Sequence, residues 1–277
     1  MTATANPPLD AYRYGSFVQA AYLMFGNAPT SLTPPVTPDV QFPAGYQLAF
    51  YLTAIDRLAA TSEREFYGFV AQSTSSPASH VIAFRGTDKI IEWFIDAEFV
   101  PTPFAEVPAA GHVEDGFYSV YHSLAGLRPD GTTPQDLHAF IRSQAPGGNL
   151  AITGHSLGGA VANLLALDAA VNDGATALSL CTLAAPKTGF GQFAALFAQK
   201  VPNSVRVYNE PDLVPRVPPL YDQVSGGCEI DSKLVPAIKH SVVCYHSLAS
   251  YLLTLNPQSA YPLASECAAS GASSQSG

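Results

Sequence analysis

Ser156 stands in Gly154-His155-Ser156-Leu157-Gly158-Gly159, between the apolar run Leu150-Ala151-Ile152-Thr153 and a long segment rich in alanine and leucine. A serine hydroxyl attacks poorly unless it is held clear of its own backbone and beside a base. A tight strand-to-helix turn does that, and flanking glycines let the chains pass closely. The chemistry such a serine performs is attack on an acyl carbonyl. The same pattern also occurs as an ordinary buried turn, so its partners decide between the two readings.

A serine nucleophile needs a base, and the base needs an acid that holds its tautomer and stabilises the imidazolium that forms. The best acid is Asp212, in Asn209-Glu210-Pro211-Asp212-Leu213-Val214-Pro215, where prolines fix a loop beyond the strand-like run Val205 to Tyr208. Active-site groups collect at that end of parallel sheets. Asp168 falls in the segment after the elbow, and Asp222 and Asp231 lie in less ordered sequence. A carboxylate that merely caps its loop is the alternative for Asp212. For the base, His246 in Cys244-Tyr245-His246-Ser247-Leu248 precedes a helical pattern and follows the acid in the chain. The order Ser, Asp, His is the one hydrolases of this sheet type use. His240 is its competitor.

These residues need elements to position them. Leu150 to Thr153 is short and apolar, as a buried parallel strand is. After Ser156, Leu157, Ala160, Val161, Leu164, Leu165 and Leu167 recur at helical spacing up to a stop at Asn172-Asp173-Gly174. A helix is expected through Tyr12, Phe17, Ala20, Ala21 and Phe25, then a proline-rich wrap from Asn27 to Gly45. Strands are expected at 50–55, 65–71, 80–84, 178–183 and 205–208, and helices near 137–143 and 193–197. This alternation predicts an α/β chain with a mostly parallel central sheet and helices on both faces. From Asn256 onward the Ser/Ala/Gly-rich tail, 256–277, reads as loosely packed or disordered.

Composition bounds the rest. The 277 residues suit one domain, 1–277, with a sizeable core: 47% are hydrophobic, 13% are charged, and the mean hydropathy is +0.14. No run approaches the roughly 18 apolar residues that span a bilayer. Thirteen basic against twenty-two acidic residues, net -9, leave no electrostatic footprint for nucleic acid. No His/Cys spacing resembles a metal site, and acyl transfer by this triad needs no metal or organic cofactor. The amino-terminal residues have neither a basic nor an apolar leader region, so a signal peptide is expected to be absent or already removed. Four cysteines are present: Cys181 reads as a buried thiol, while a Cys228 to Cys244 bridge would stiffen the loop before His246. Spacing alone leaves that bridge open.

Several further motifs accompany the elbow: Tyr67-Gly68-Phe69-Val70-Ala71, Val81-Ile82-Ala83-Phe84-Arg85-Gly86-Thr87, Trp93 with Asp96, His112 with Gly116-Phe117, Pro186 with Gly189, Asp212-Leu213-Val214-Pro215, and His246 with Tyr251. In this combination the chain resembles the class 3 lipases, the fungal-lipase-like branch of the α/β-hydrolases, over most of residues 47–255. The resemblance implies an α/β-hydrolase fold with a short helical lid at about 88–99. It implies Thr87 as an oxyanion donor, with the Leu157 N-H as the second. Losing one such donor typically costs about 10²- to 10³-fold in rate. The alternative for Thr87 is a turn residue closing a strand.

The lid would carry Ile90, Ile91, Trp93 and Phe94 on an apolar face broken by Asp88, Lys89, Glu92 and Asp96, lying on lipid at an interface. A helix packed on the core is its alternative. The chain departs from the family at Ala184 and Ala185, where many relatives carry glycine, which puts local packing in doubt.

The expected activity is carboxylic ester hydrolysis through an acyl-serine. A triacylglycerol lipase working peripherally at a lipid-water interface is the first reading, and a short-chain, aryl or feruloyl esterase the second. A non-catalytic lipid-binding protein is the reading from another class. The expected location is secreted, otherwise cytoplasmic.

Overall fold

The computed structural model describes residues 10–56, 63–76, 78–87, 98–147 and 149–269. Helix α1 (Ala11–Asn27) buries Phe17, Ala20, Ala21 and Met24, a stripe at i, i+3, i+4 and i+7. Strands β1 (Tyr46–Ile55), β2 (Arg64–Ser73) and β3 (His80–Phe84) follow, and β4 (Pro101–Pro103) pairs with β5 (His112–Glu114) as a separate ribbon. Then come α2 (Asp115–His122), β6 (Ala125–Leu127), β7 (Pro134–Gln135), α3 (Leu137–Gln144), β8 (Leu150–His155) and α4 (Leu157–Asn172). The remainder is β9 (Ser179–Leu183), α5 (Gly191–Lys200), β10 (Ser204–Asn209), β11 (Gly227–Ile230), α6 (Val242–His246) and α7 (Leu248–Leu255).

Among the described residues nine strands form one sheet in the order β11-β10-β9-β8-β3-β2-β1-β6-β7. The expected parallel character is confined to one half, from β3 through β8, β9 and β10 to β11. The half from β3 outward through β2, β1, β6 and β7 is antiparallel. Connection length is the physical reason. Eight residues join β1 to β2 and six join β2 to β3, too few for the crossover of a dozen or more that parallel neighbours require.

Strand alternation then builds the two layers. Ile82 and Phe84 of β3 and Ile152 of β8 face the core shared with α2, α3, α4 and α5, whereas Val81, Ala83 and Ala151 face α1. Helix α7 joins α1 on that second face, packing Tyr251 and Leu252 over Leu183 and Val207. Every residue of α4 from Leu157 to Ala170 is buried, so this helix runs through the core as an internal strut. Each fully buried leucine on it contributes about 2 kcal/mol. No helix among the described residues is long and apolar enough to cross a membrane.

Two expectations are corrected. Cys244 is bonded to Cys267, not to Cys228, with Cα atoms 5.2 Å apart. Cys228 sits on β11 opposite Val207 of β10, and its buried position in the sheet keeps it from the α6 loop. The tail, in turn, is held down through residue 269: the bridge anchors it, the Lys239 N-H donates to the Cys267 carbonyl (2.8 Å), and the Ala269 N-H donates to the Ala237 carbonyl (2.9 Å). Residues 270–277 lie outside the described residues. A composition poor in apolar side chains hid a segment that one covalent bond holds.

Candidate active site

Ser156 joins β8 to α4 at φ 57° and ψ -129°, a backbone conformation that costs a non-glycine residue about 1 to 3 kcal/mol. The strain is held by the Ser156 N-H, which donates to the Leu183 carbonyl of β9 at 2.9 Å. Close approach explains one of the flanking glycines. A Cβ on Gly158 would stand 2.3 Å from the Arg85 carbonyl oxygen, so only glycine lets α4 start against the end of β3.

The structure brings the three sequence-identified residues together. His246, the last residue of α6, places Nε2 2.9 Å from Ser156 Oγ and Nδ1 2.9 Å from Asp212 Oδ2. An aspartate carboxylate only accepts, so Nδ1 carries the proton and Nε2 turns its lone pair to the serine hydroxyl. Asp212 sits beyond β10 as expected, and its oxygens are fully engaged: Oδ1 accepts from the Val214 N-H (3.0 Å) and Oδ2 also accepts from the Tyr251 hydroxyl (2.7 Å). Burial, and then the Asp212 charge, raise the Tyr251 pKa well above its ordinary value and keep it a donor. Ser156, Asp212 and His246 are 0%, 1% and 5% exposed. The competitor His240 is exposed and lies beside Tyr245.

Thr87 follows β3 and is buried. Leu157 is the first residue of α4, so its N-H has no carbonyl one turn earlier within the helix and belongs to the helix's positive end. Thr87 lines the same groove as His246, and Leu157 directly follows Ser156. Ile90, Ile91, Trp93 and Phe94, the expected lid, lie outside the described residues.

Three supporting residues escaped the sequence reading: Arg85, Tyr22 and His155. Arg85 is buried, pairs with Glu65 at 2.8 Å, and donates from Nη1 to the Gly86 carbonyl at 2.8 Å. That carbonyl belongs to the same planar peptide as the Thr87 N-H, so Arg85 sets the direction in which that N-H points. The Gly86 N-H is held in turn by the Tyr22 hydroxyl at 2.8 Å, and the same hydroxyl is 2.9 Å from His155 Nδ1.

His155 Nε2 lies 2.9 Å from the backbone carbonyl of His246, which only accepts, so Nε2 donates and Nδ1 receives the Tyr22 proton. Burial, and then the nearness of His246, hold the His155 pKa well below the usual histidine value, so it stays neutral. One chain of hydrogen bonds therefore ties the Thr87 loop, the elbow and the base. The only signal in the sequence was an arginine inside an otherwise apolar strand end, Phe84-Arg85-Gly86.

A groove of about 600 Å³ runs past Thr87, His155 and His246, walled by Leu23 of α1, by Val243 and by the bridged tail at Leu263. Among the described residues no group of three or more His, Cys, Asp or Glu could hold a metal ion.

Known proteins resemble this chain in sequence and in fold. A sequence profile of the family described as Lipase (class 3) matches residues 81–222, from β3 through Asp212. Phospholipase A1-II 4 of Oryza sativa subsp. japonica is 29% identical over 69% of this chain and 55% of its own length. A lipase of Rhizomucor miehei is 33% identical over 54% of this chain and 40% of its own. The chain spans about half the length of the curated relatives it matches.

Among solved structures, the Rhizomucor miehei lipase propeptide complex superposes with a TM-score of 0.61 at 23% identity, covering 89% of this chain and 78% of that one. The nonglycosylated LIP2 lipase of Yarrowia lipolytica gives 0.62 at 22% identity, covering 88% and 86%. These share the α/β-hydrolase fold. The chain belongs to the class 3 lipase family.

Proposed function

We propose that the protein is a serine carboxylic ester hydrolase, a triacylglycerol lipase that works through an acyl-serine at a lipid-water interface. One observation carries the reading: the unbroken line from the strained Ser156 Oγ to His246 and on to Asp212, each step 2.9 Å. Ser156 attacks the ester carbonyl as His246 Nε2 takes its proton, and the oxyanion rests on the N-H groups of Thr87 and Leu157. His246 returns the proton to the leaving alcohol, an acyl-serine remains, and water activated by the same nitrogen releases the acid.

Ser156 has no exposed surface, so an ester reaches it only after covering side chains move, which suits an enzyme that works where lipid displaces them. The Cys244–Cys267 bridge supports a secreted location, because oxidising compartments preserve such bonds.

The test is hydrolysis of an emulsified long-chain triglyceride beside p-nitrophenyl butyrate. The lipase reading expects the emulsion to be cleaved, with a rise in rate as droplets form. Cleavage of the soluble ester alone makes the protein a short-chain, aryl or feruloyl esterase. A second reading, phospholipase A1, is favoured by the name of the rice relative. Phosphatidylcholine vesicles with acid release at the first acyl position, and no release from the emulsion, would establish it.

A further inference from the structure

Behind the triad acid lies a cleft that the hydrolytic chemistry does not use. It has a volume of about 290 Å³ and is lined by Lys187, Arg206, Arg216, Tyr208, Gln223 and Asp212. Three of the 13 basic residues of a chain with net charge -9 meet there. Their partners do not balance them. Arg206 stacks on Tyr208 at 4.6 Å, yet its buried Nε has no hydrogen-bond acceptor and no carboxylate stands within ion-pair distance among the described residues. Burial also lowers its pKa. Arg216 donates to the Glu210 backbone carbonyl at 2.6 Å and meets the Glu210 carboxylate only at 3.8 Å, and Lys187 has no ion pair among the described residues.

Gly227, opposite Arg206 in the sheet, leaves room for the guanidinium: a Cβ there would lie 2.8 Å from Nη2. Asp212 does not neutralise the group, because its two oxygens are taken by Val214, His246 and Tyr251.

We infer that this cleft binds a small oxyanion of the phosphate class, with Arg206 and Lys187 as its principal donors. A planar guanidinium matches the oxygens of phosphate, and an ammonium adds a point charge. Gln223 narrows the choice. Its Nε2 donates to the Pro215 carbonyl, which fixes the amide orientation, and its buried Oε1 is left without a donor. Hydrogen phosphate or a phosphomonoester monoanion still carries an O-H that can satisfy it, and sulfate does not. The site lies apart from Ser156 and does not rest on the hydrolase reading.

The test is thermal unfolding of the full chain in sodium phosphate, sodium sulfate and sodium chloride at equal ionic strength. Phosphate should raise the Tm by about 4 °C in a saturable way and sulfate should raise it less. Lys187→Gln and Arg206→Met should each abolish the difference, and Lys187→Gln serves alone if the second fails to fold. A parallel arm sediments Ser156→Ala protein, which cannot consume lipid, with phosphatidylcholine vesicles with or without a minor fraction of phosphatidic acid. A phosphate shift removed by Lys187→Gln makes the ligand a soluble anion. Lys187-dependent retention on phosphatidic acid alone makes it a lipid headgroup. No effect in either arm, or effects undiminished in both variants, overturns the proposal.

Discussion

Helix α4 has a buried aspartate, a histidine and a tyrosine at each end, and only one end is built for chemistry. At its start, His246 lies between Asp212 and Ser156, with Tyr251 on the carboxylate. At its finish, Tyr121 and Asn172 donate to Asp168, while Asp173 takes His138 Nδ1 at 2.6 Å and Arg142 at 2.8 Å. The residue types match, but the histidines differ in what their second nitrogen meets. His246 Nε2 faces a hydroxyl, whereas His138 Nε2 lies 3.8 Å from a second carboxylate, Asp168 Oδ2. His138 therefore stands between two carboxylates rather than between a carboxylate and a nucleophile.

The helix dipole sharpens the contrast. Its positive end lies at Leu157 beside the serine, where negative charge is favoured, and its negative end makes two carboxylates costly without His138 and Arg142 to offset them. A buried Asp-His pair is thus not a site in itself. A strained nucleophile on the far side of the ring makes it one.

The comparison breaks most visibly at the two acids. Asp212→Asn should lower kcat by about 10⁴-fold, because the amide no longer holds the reactive tautomer of His246, and should leave the Tm nearly unchanged. Asp173→Asn should do the reverse: kcat within a few-fold, and a loss of about 3 kcal/mol in denaturant unfolding as Arg142 loses its charge partner and His138 the carboxylate it is hydrogen-bonded to. Steady-state kinetics beside urea titration decides both, and a collapse of kcat in Asp173→Asn would merge the two ends.

A third carboxylate separates stability from catalysis by pH. Glu114 caps α2 through the Phe117 N-H at 2.8 Å, and burial raises its pKa from 4.5 to about 7. Between those values the folded chain holds a proton that the unfolded chain has released, so stability falls as pH rises from 4.5 to about 7 and then levels. Glu114→Gln should keep the cap, flatten that slope, and be about 2 kcal/mol more stable than wild type at pH 8. Equal slopes in the two proteins would contradict this.

The smallest effect concerns a residue next to the elbow's own anchor. Ala184 follows Leu183 and sits buried at φ 55°, the conformation that favours glycine. Ala184→Gly should stabilise by about 1 kcal/mol without changing kcat, and any loss of stability would show that packing outweighs the strain.

Much of the start of α4 was legible because its signals are local. Ser156 is marked by glycines a few residues away, Asp212 by prolines after a strand, and His246 by its order behind the acid. Thr87 and Leu157 were proposed as oxyanion donors only through resemblance. What failed to show was whatever depends on distant partners: Tyr22 meets His155 across 133 positions, and His155 meets His246 across 91. The disulfide failed for the same reason, since Cys228 and Cys267 are equal candidates in sequence and only the sheet shows that the first is locked in β11. Alternating strands could not reveal that half the sheet is antiparallel, because period two is common to both kinds of strand. The short connections in this chain carried that information.

The central claim is that Ser156 is activated by His246. Its most direct test is intact-mass and peptide analysis after exposure to a fluorophosphonate, with wild type, His246→Ala, His240→Ala and Asp173→Asn in parallel. The account predicts one adduct, on Ser156, forming readily in wild type, His240→Ala and Asp173→Asn and at least about 10³-fold more slowly in His246→Ala. A folded wild-type protein whose Ser156 stays unlabelled, or a His246→Ala variant labelled as fast as wild type, would contradict it.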